Sequence, residues 1–306
     1  MSTPERTLLT AQGPLRLGGR ALLMGIVNAT PDSFSDGDLE QTLDARTARA
    51  AELLAAGAAI IDIGGESGVT NRPAVSAQQE IERVVPLIER VARELGAMVS
   101  VDTYKPAVAR AAITAGAAIV NDVSGLRDLE LADVCAETGA ALVLMHTRAA
   151  PKVKLLDPSL DGTTAADVES FLRERIELAQ ERHVAFEQLV LDPGPDFSKT
   201  PAQTIEALRS LGALHALGRP ILLAVSRKDF VGALTGRPPR ERLAGTLAAV
   251  AHGVRSGAHI LRVHDVAETA EFLTVLRALE SDAEIESGLQ LGDELRWAQG
   301  SRTPER

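Results

Sequence analysis

Short apolar segments alternate with longer helix-forming segments along most of this chain, and this alternation constrains the fold more than any other feature. The apolar segments have the length of buried strands. The segments between them are rich in Ala, Leu, Glu and Arg, and most end at a glycine, as helices commonly do. Eight segments are predicted to be strands, at 21–27, 59–63, 98–101, 118–120, 141–145, 188–191, 220–225 and 259–261. Eight helices are predicted, at 42–56, 77–95, 106–116, 129–138, 164–183, 201–216, 239–256 and 266–280.

This pattern favours a single α/β domain with the architecture of a (β/α)8 TIM barrel over residues 21–280. An open, doubly wound parallel sheet is the alternative. Residues 1–20 contain alternating leucines and Gly-Pro and Gly-Gly pairs, which predict a short hairpin before the first barrel strand. The charged tail, residues 281–306, is expected to be partly disordered.

Composition narrows the possible partners. The 306-residue chain carries a net charge of −10, which argues against nucleic acid or an anionic membrane surface as a partner. There is no apolar stretch near the ~20 residues of a membrane span and no secretory signal at the amino terminus. The single cysteine, Cys135, excludes an intrachain disulfide and lies in an apolar helical stretch. We therefore expect a cytoplasmic protein.

Polar or charged residues follow nearly every predicted strand, whereas the strand beginnings are mostly Gly and Ala. Active sites of barrel enzymes lie at the carboxyl ends of the strands, so this asymmetry predicts an enzyme. The strand-end residues are Asn28, Glu66, Asp102, Asn121, Asp122, His146, Asp192, Lys228, Arg262 and His264.

These residues suggest two kinds of chemistry. Arg262 and His264 are two positions apart on an extended chain and, with Lys228, predict a cationic patch for phosphate. Asp102, Asn121 and Asp192 suit a flat heterocycle with several N–H donors. The sequence has no cluster of His and Cys, so any metal is expected to be a hard ion such as Mg²⁺ that bridges phosphate oxygens.

The motifs at the strand ends resemble those of the dihydropteroate synthase family over about residues 15–280. The segments that carry the resemblance are MGIVNATPDSFSDG (24–37), IIDIGGES (60–67), VSVDTYKP (99–106), IVNDVSG (119–125), LVLMH (142–146), LDPG (191–194), VSRK (225–228) and HILRVHDVAET (259–269).

The resemblance implies a (β/α)8 barrel, usually a homodimer, that joins p-aminobenzoate to 6-hydroxymethyl-7,8-dihydropterin pyrophosphate and releases pyrophosphate. It implies that Asp102, Asn121, Asp192 and Lys228 bind the pterin, with Met145 beside it. The catalytic residues of this set are expected to be Lys228, Asp102 and Asp192.

The pyrophosphate side follows from the same resemblance. Asn28 is expected to ligate Mg²⁺ on the pyrophosphate, and Arg262 and His264 to hold the departing phosphates. The loop from Thr30 to Phe34 is expected to close over the site.

The chain departs from the family on the side of the second substrate. The family pattern Gly-Gly-Glu-Ser-Thr-Arg-Pro-Gly is here GGESGVTNRPAV, with the Arg-Pro pair three places late. The family pattern Gly-x-Gly-Phe-Gly-Lys is here GPDFSK (194–199). The Ser that usually follows Ser-Arg-Lys in the family is here Asp229. The residues expected to face the second substrate are Thr70, Arg72, Pro73, Phe197 and Asp229.

These departures predict a modified aryl-amine pocket. The consequence could be reduced sulfonamide sensitivity, a different nucleophile, or a pterin-binding paralogue without synthase activity. Asp229 adds negative charge near the carboxylate of p-aminobenzoate, which is unfavourable unless Lys228 or Arg72 offsets it. A pterin-dependent methyltransferase domain is a further alternative, although it does not need the phosphate pair at strand 8.

Overall fold

In the computed structural model, which describes residues 4–30, 39–66, 73–280 and 288–292, a two-stranded antiparallel hairpin precedes an eight-stranded parallel sheet. The hairpin strands are β1 (Arg6–Thr10) and β2 (Gly13–Leu17). The barrel strands are β3 (Leu22–Asn28), β4 (Ala58–Gly64), β5 (Met98–Asp102), β6 (Ile119–Asp122), β7 (Ala141–Met145), β8 (Leu189–Asp192), β9 (Leu222–Leu223) and β10 (Ile260–Val263).

Helices follow the strands and form the outer layer. They are α1 (Leu39–Ala55), α2 (Ala77–Glu94), α3 (Pro106–Ala115), α4 (Glu130–Thr138), α5 (Thr164–Glu181), α6 (Pro201–Arg209), α7 (Asp229–Thr235), α8 (Leu243–Arg255) and α9 (Val266–Glu280). Short 3-10 helices occur at Pro158–Leu160, Phe186–Gln188, Leu211–Leu217 and Pro239–Glu241.

The strands pair in the order β8-β7-β6-β5-β4-β3-β10-β9. A single parallel bridge, between Leu191 and Ile221, joins the two outer strands and makes the barrel nearly closed. The TIM-barrel prediction is therefore confirmed, and the open sheet is excluded.

Two apolar layers hold the barrel together. The larger one lies between strands and helices, and the smaller one fills the barrel interior. Leu8 and Leu17 of the hairpin belong to the interior cluster, together with residues such as Met24 and Ile60. Burying one such leucine contributes ~1.5–3 kcal/mol.

The hairpin covers the amino-terminal end of the barrel. Ala11 donates its N–H to the carbonyl of Ala118, and Arg219 donates to the carbonyl of Thr7. Ala118 and Arg219 both precede barrel strands, so the opposite, carboxyl-terminal end is left for the site.

Several predicted boundaries were wrong. The strand predicted at 220–225 forms a ladder only over Leu222–Leu223. The helix predicted at 201–216 ends at Arg209 and continues as a 3-10 helix, and the one predicted at 239–256 begins at Leu243. α7 was not predicted. Most of the tail lies outside the described residues.

Cys135 is a free thiol in the core, and burial raises its pKa, which fits a packing role. Among the helices that the structure describes, none is long and apolar enough to cross a membrane.

Candidate active site

Strand register brings the predicted polar residues together at the carboxyl-terminal end of the barrel. Asp102 of β5 lies opposite Asn121 of β6, and Met145 of β7 lies opposite Asp192 of β8. These side chains alternate with outward-facing neighbours, so they point into the barrel above the apolar interior layer. Asn121, Met145 and Asp192 are buried.

Arg262 occupies the centre of this polar layer, between two carboxylates. Its Nε donates to Oδ2 of Asp62 at 2.6 Å, and its Nη2 donates to Oδ2 of Asp102 at 2.7 Å. Asn121 Nδ2 donates to the same oxygen of Asp62 at 3.2 Å. The sequence predicted Arg262 in a cationic patch, but the two carboxylates largely neutralise its charge.

Asp62 is completely buried within β4, and its Oδ1 has no hydrogen-bond partner in the described part of the chain. An unpaired buried carboxylate oxygen is costly unless a ligand or water satisfies it. The structure places Asp62 within the polar layer, in contact with Arg262 and Asn121.

Burial dominates the protonation of these groups. It raises the pKa of Asp102 to about 7, although the Arg262 guanidinium acts in the opposite direction. Burial also raises the pKa of Asp192, which the N–H of Gly194 lowers through a 2.7 Å hydrogen bond. Carboxyl groups that titrate nearer to neutrality can exchange protons with a heterocyclic ligand.

Lys228 follows β9 and lies on the other side of the layer. Burial lowers its pKa, and the carboxylates of Asp196 and Asp192 oppose that shift. Its Nζ is 4.3 Å from the ring centroid of Phe197. Lys228 therefore joins the pterin-side residues to the loop predicted to contact the second substrate.

His264 is held by Ser226. Ser226 Oγ accepts the backbone N–H of His264 at 3.2 Å and lies 2.9 Å from its Nδ1. The hydroxyl can donate to Nδ1, which leaves the proton of a neutral imidazole on Nε2. Burial lowers the pKa of His264 to about 4, with Arg262 acting in the same direction. His264 is thus a neutral donor rather than a cation.

The backbone before Lys228 is strained and tied down. Arg227 has a φ of 59°, in the left-handed region that non-glycine residues seldom adopt. Its N–H donates to Thr246 Oγ1, and its guanidinium forms an ion pair with Asp265. Nη1 of Arg242 donates to the carbonyls of Arg227 and Lys228 at 2.9 and 3.1 Å. These contacts fix the backbone of the loop that carries Lys228 from β9 to α7.

The same Arg242 Nη1 also binds the Asp229 side chain, at 2.9 Å from Oδ1. From the sequence, the charge of Asp229 was predicted to be unfavourable unless Lys228 or Arg72 offsets it. In the structure Arg242 does so, and Arg72 lies outside the described residues.

The loop after β8 has three residues with positive φ. Gly194, Asp196 and Ser198 have φ of 61°, 64° and 53°. At Gly194 a Cβ would lie 2.1 Å from the carbonyl oxygen of His146, so only glycine fits. Asp196 and Ser198 keep a backbone suited to the glycines of the family pattern.

A buried lysine organises this loop from below. Lys199 Nζ donates to the carbonyls of Gly194 and Phe197 at 2.9 and 3.2 Å, and to Nδ1 of His146 at 2.6 Å. His146 then carries its proton on Nε2 and donates to Asp167 Oδ2 at 2.9 Å. Burial lowers the pKa of His146 to about 4 and that of Lys199 to about 7. His146 therefore supports the loop instead of facing a substrate.

Glu66 anchors the neighbouring loop. Its carboxylate accepts from Tyr104 Oη at 3.0 Å, from Lys105 Nζ at 2.7 Å and from the N–H of Val75 at 3.0 Å. Pro73 of this loop is exposed. Thr70 and Arg72 lie outside the described residues.

Two further strand-end residues differ in role. Asp122 is buried and accepts the N–H groups of Ser124 and Leu126, so it buttresses its own loop. Asn28 ends β3 with an exposed side chain. Of the loop predicted to close over the site, Thr30 is buried, and 31–38 lie outside the described residues.

No group of three or more His, Cys, Asp or Glu side chains in the described ranges could hold a metal ion. One exposed amide at Asn28 fits a Mg²⁺ ion that takes most of its ligands from diphosphate oxygens and water.

Sequence reasoning missed Asp196, Arg242 and Lys199 as site-forming residues. The sequence does contain a signal for Lys199, because it is the last residue of the GPDFSK motif at 194–199. The contacts of Asp196 and Arg242 join separate loops, and no local signal indicates them.

The fold and the site define a (β/α)8-barrel enzyme with a polar pocket for a heterocycle. A model of the family "Pterin binding enzyme" matches residues 24–264. The chain belongs to the dihydropteroate synthase family of these enzymes.

Similar proteins, compared by sequence or by structure, are dihydropteroate synthases. Dihydropteroate synthase of Bacillus subtilis is 42% identical over 270 residues, which cover 88% of this chain and 92% of the relative. The structure of Xanthomonas albilineans dihydropteroate synthase with 4-aminobenzoic acid has a TM-score of 0.81 at 40% identity and covers 91% of this chain and 99% of that one. The same enzyme in complex with 7,8-dihydropteroate has a TM-score of 0.77 at 42% identity, with coverage of 86% and 94%.

Proposed function

We propose that this enzyme condenses 6-hydroxymethyl-7,8-dihydropterin pyrophosphate with p-aminobenzoate, forming dihydropteroate in folate biosynthesis and releasing pyrophosphate. The observation that carries the proposal is the polar layer of Asp62, Asp102, Asn121, Asp192 and Arg262 beside Lys228 at the carboxyl ends of the strands. The names and bound ligands of the relatives support the same substrates.

The pterin lies in this layer with its N–H groups on the carboxylates of Asp102 and Asp192. Asn121 has its amide nitrogen on Asp62, which leaves its amide oxygen free to accept a further hydrogen bond from the ligand. The pterin carbonyl accepts from Lys228, and Met145 packs against the ring. Because Arg262 and Asp62 hydrogen-bond Asp102 and Asn121, and the N–H of Gly194 holds Asp192, these groups orient the ring without reorganising.

The pyrophosphate lies toward Asn28, Arg262 and His264. The two ion pairs of Arg262 use Nε and Nη2 and leave Nη1 for the phosphate, and His264 offers Nε2–H once Ser226 holds Nδ1. Asn28 would ligate Mg²⁺ bound with the pyrophosphate, and the ion would supply positive charge to offset the negative charge that develops on the leaving group. The C–O bond to pyrophosphate breaks, and the aryl amine forms the new C–N bond and loses a proton. No protein nucleophile is needed.

The second substrate binds on the side of Phe197, Pro73 and Asp229, with Thr70 and Arg72 as further contacts. Phe197 beside Lys228 supplies an aromatic face next to the reacting centre.

A homodimer is part of this proposal. Large apolar side chains are exposed on α7 and α9, at Leu234 (68%), Val275 (60%) and Leu279 (79%). Val275 and Leu279 are one helical turn apart on α9, so this face of α9 is the candidate association surface. We also propose a cytoplasmic location, which rests on the composition of the chain. The division into hairpin, barrel and tail at residues 20 and 280 rests on the pattern of predicted strands and helices.

The test is turnover of the purified protein with the pterin pyrophosphate and p-aminobenzoate, with dihydropteroate and pyrophosphate measured separately. We expect the two products in equal amounts, and Mg²⁺ chelation should reduce the rate. Asp192→Ala should abolish turnover. If the wild-type protein binds the pterin pyrophosphate in calorimetry but forms no dihydropteroate, the chain is a pterin-binding paralogue instead.

A further inference from the structure

The carboxylate of Asp196 connects two loops that come from different strands. Its Oδ2 accepts the backbone N–H of Asp229 at 2.5 Å and that of Phe230 at 3.3 Å, which are the first two residues of α7. Its Oδ1 accepts from Thr204 Oγ1 of α6 at 3.1 Å, and Thr204 Oγ1 accepts the N–H of Asp196 at 3.1 Å. Asp196 therefore binds α6 and α7 at the same time.

This contact replaces a missing local cap. Lys228 is the N-cap residue of α7, and its side chain makes no capping hydrogen bond. The first N–H groups of a helix need an acceptor. Asp196 supplies it from a position 33 residues earlier in the chain.

The backbone of Asp196 suits this role. Its φ of 64° lies in the left-handed region, and Asp is among the few non-glycine residues that tolerate this conformation. A glycine in its place keeps the turn and loses the acceptor.

The two ends of this connection flank the contact between Phe197 and Lys228. Phe197 directly follows Asp196, and Lys228 directly precedes Asp229. The link from Asp196 to the start of α7 thus joins the backbone next to Phe197 to the backbone next to Lys228, whose Nζ lies 4.3 Å from the ring centroid. Phe197 lies on a loop, and Lys228 follows a strand of only two residues. Neither element alone fixes this distance.

We propose that Asp196 is a positioning residue for the second substrate: by capping α7 from the loop after β8, it holds Phe197 and Lys228 at the spacing that the aryl amine requires. The inference rests on the proposed function. Asp196 stands where the family pattern has a glycine. Its carboxylate joins the loop after β8 to the loop before α7, so that the two loops form one unit.

The carboxylate has a second, electrostatic consequence. Burial lowers the pKa of Lys228, and Asp196 is the first of the groups that counter this shift. Removal of the negative charge alone should therefore move the alkaline limb of the activity profile to lower pH. Asp192 and Asp102 also raise the pKa of Lys228, whereas Arg262 lowers it, so the two remaining carboxylates retain a part of its protonation.

Two substitutions separate geometry from charge. Asp196→Gly removes the acceptor and restores the family residue, and we expect the KM for p-aminobenzoate to rise about fivefold to tenfold, the equivalent of one lost cap. The KM for the pterin pyrophosphate should change less than about twofold, because Arg242 still holds the backbone carbonyl of Lys228 when Asp196 is replaced. Asp196→Asn keeps an oxygen that can cap α7, since Asn and Asp are equivalent caps. It should restore the KM and show only the shift of the alkaline limb.

A matched control removes a capping carboxylate elsewhere. Asp128 accepts the N–H of Glu130 at the start of α4, at 3.1 Å. Asp128→Gly should lower thermal stability without a change in either KM. Equal changes in both KM values for Asp196→Gly would mean that the residue is merely structural.

Hydrogen exchange of the full-length protein gives a readout that does not depend on activity. The amides of Asp229 and Phe230 should lose protection in Asp196→Gly and keep it in Asp196→Asn. Unchanged protection in Asp196→Gly overturns the inference whether or not the wild-type protein is a synthase. Absence of wild-type turnover, with these exchange effects present, overturns the proposed function and retains the link between the loops.

Discussion

Nε of Arg262 lies 2.6 Å from Oδ2 of Asp62, which is fully buried inside the barrel. The guanidinium also reaches Asp102, so one cation serves two carboxylates from neighbouring strands. A diphosphate that approaches Arg262 meets a side chain whose orientation is already fixed. The charge pair is therefore part of the pocket wall, and its loss should affect both folding and binding.

Asp62→Ala should lower the free energy of unfolding by about 3 kcal/mol, because it leaves a buried guanidinium with one partner fewer. Asp62→Asn should cost less, since an amide oxygen can still accept from Arg262. Both variants should raise the KM for the pterin pyrophosphate. Urea unfolding and steady-state kinetics measure the two effects. The control is Asp133→Ala, which removes an ion pair with Arg182 on the outside of the barrel. A loss as small as that of the control would show that Asp102 alone holds Arg262.

Ser226→Ala should weaken the hold on His264 without removing a substrate contact. The hydroxyl fixes the proton of the imidazole on Nε2, so its loss should raise the KM for the pterin pyrophosphate about fivefold, the value of one hydrogen bond. Ser100→Ala is the matched control, because Ser100 is also buried and its Oγ has no partner among the described residues. If both variants behave alike, Ser226 does not position His264.

The three buried histidines should destabilise the protein as the pH drops from 6.5 toward 4, whereas Asp102, Asp122 and Asp192, whose pKa values are raised by burial, act in the opposite direction. Burial lowers the pKa of His146, His259 and His264 to about 4 each, so at these three sites the unfolded chain binds more protons than the folded one in this window. His259 Nδ1 accepts the N–H of Ile221 and loses this bond when protonated. One such histidine should cost about 2 kcal/mol at pH 5 relative to pH 7.5. Urea unfolding across this range measures the slope.

His259→Asn tests the share of one histidine, since Asn can still accept from Ile221 but does not titrate. Relative to the wild-type protein, its unfolding free energy should increase as the pH falls from 7.5 to 5, by about 2 kcal/mol. An unchanged slope would exclude His259 as a source of the acid sensitivity.

His183→Gly should stabilise the protein by about 0.5–1 kcal/mol, because glycine adopts the left-handed conformation without a steric cost. His183 follows the end of α5 with a φ of 67° and an exposed side chain. The converse change, Gly139→Ala at the end of α4, places a methyl group in open space at a φ of 72° and should destabilise by a similar amount. Thermal unfolding of the two variants should shift in opposite directions. A shift of the same sign would show that side-chain contacts outweigh the backbone term.

The barrel and most of its site were predictable because they follow from local patterns. Apolar periodicity located the strands, and the residues after them, such as Asp102 and Asp192, lie at one end of the barrel because parallel strands end together. α7 was missed because its seven residues contain a glycine and depend on a cap from another loop. The neutralisation of Arg262 was missed because its partner Asp62 lies 200 residues away in the sequence. Single-sequence reasoning detects which residues reach the pocket, but not how they pair within it.

One bridge between Leu191 and Ile221 completes the barrel, and the loops that leave those two strands meet again through Asp196. The strand pair with the fewest hydrogen bonds in the barrel thus lies below the side of the pocket that differs from the family pattern. Mutations that reshape this side should therefore affect the stability of the whole barrel as well as substrate choice. A lineage that exchanges loop glycines here gains rigidity only if the new side chains connect one loop to the next. Natural variation at positions 196 and 198 should therefore be coupled to the residues at the start of α7, and resistance mutations in these loops should carry a measurable cost in thermal stability.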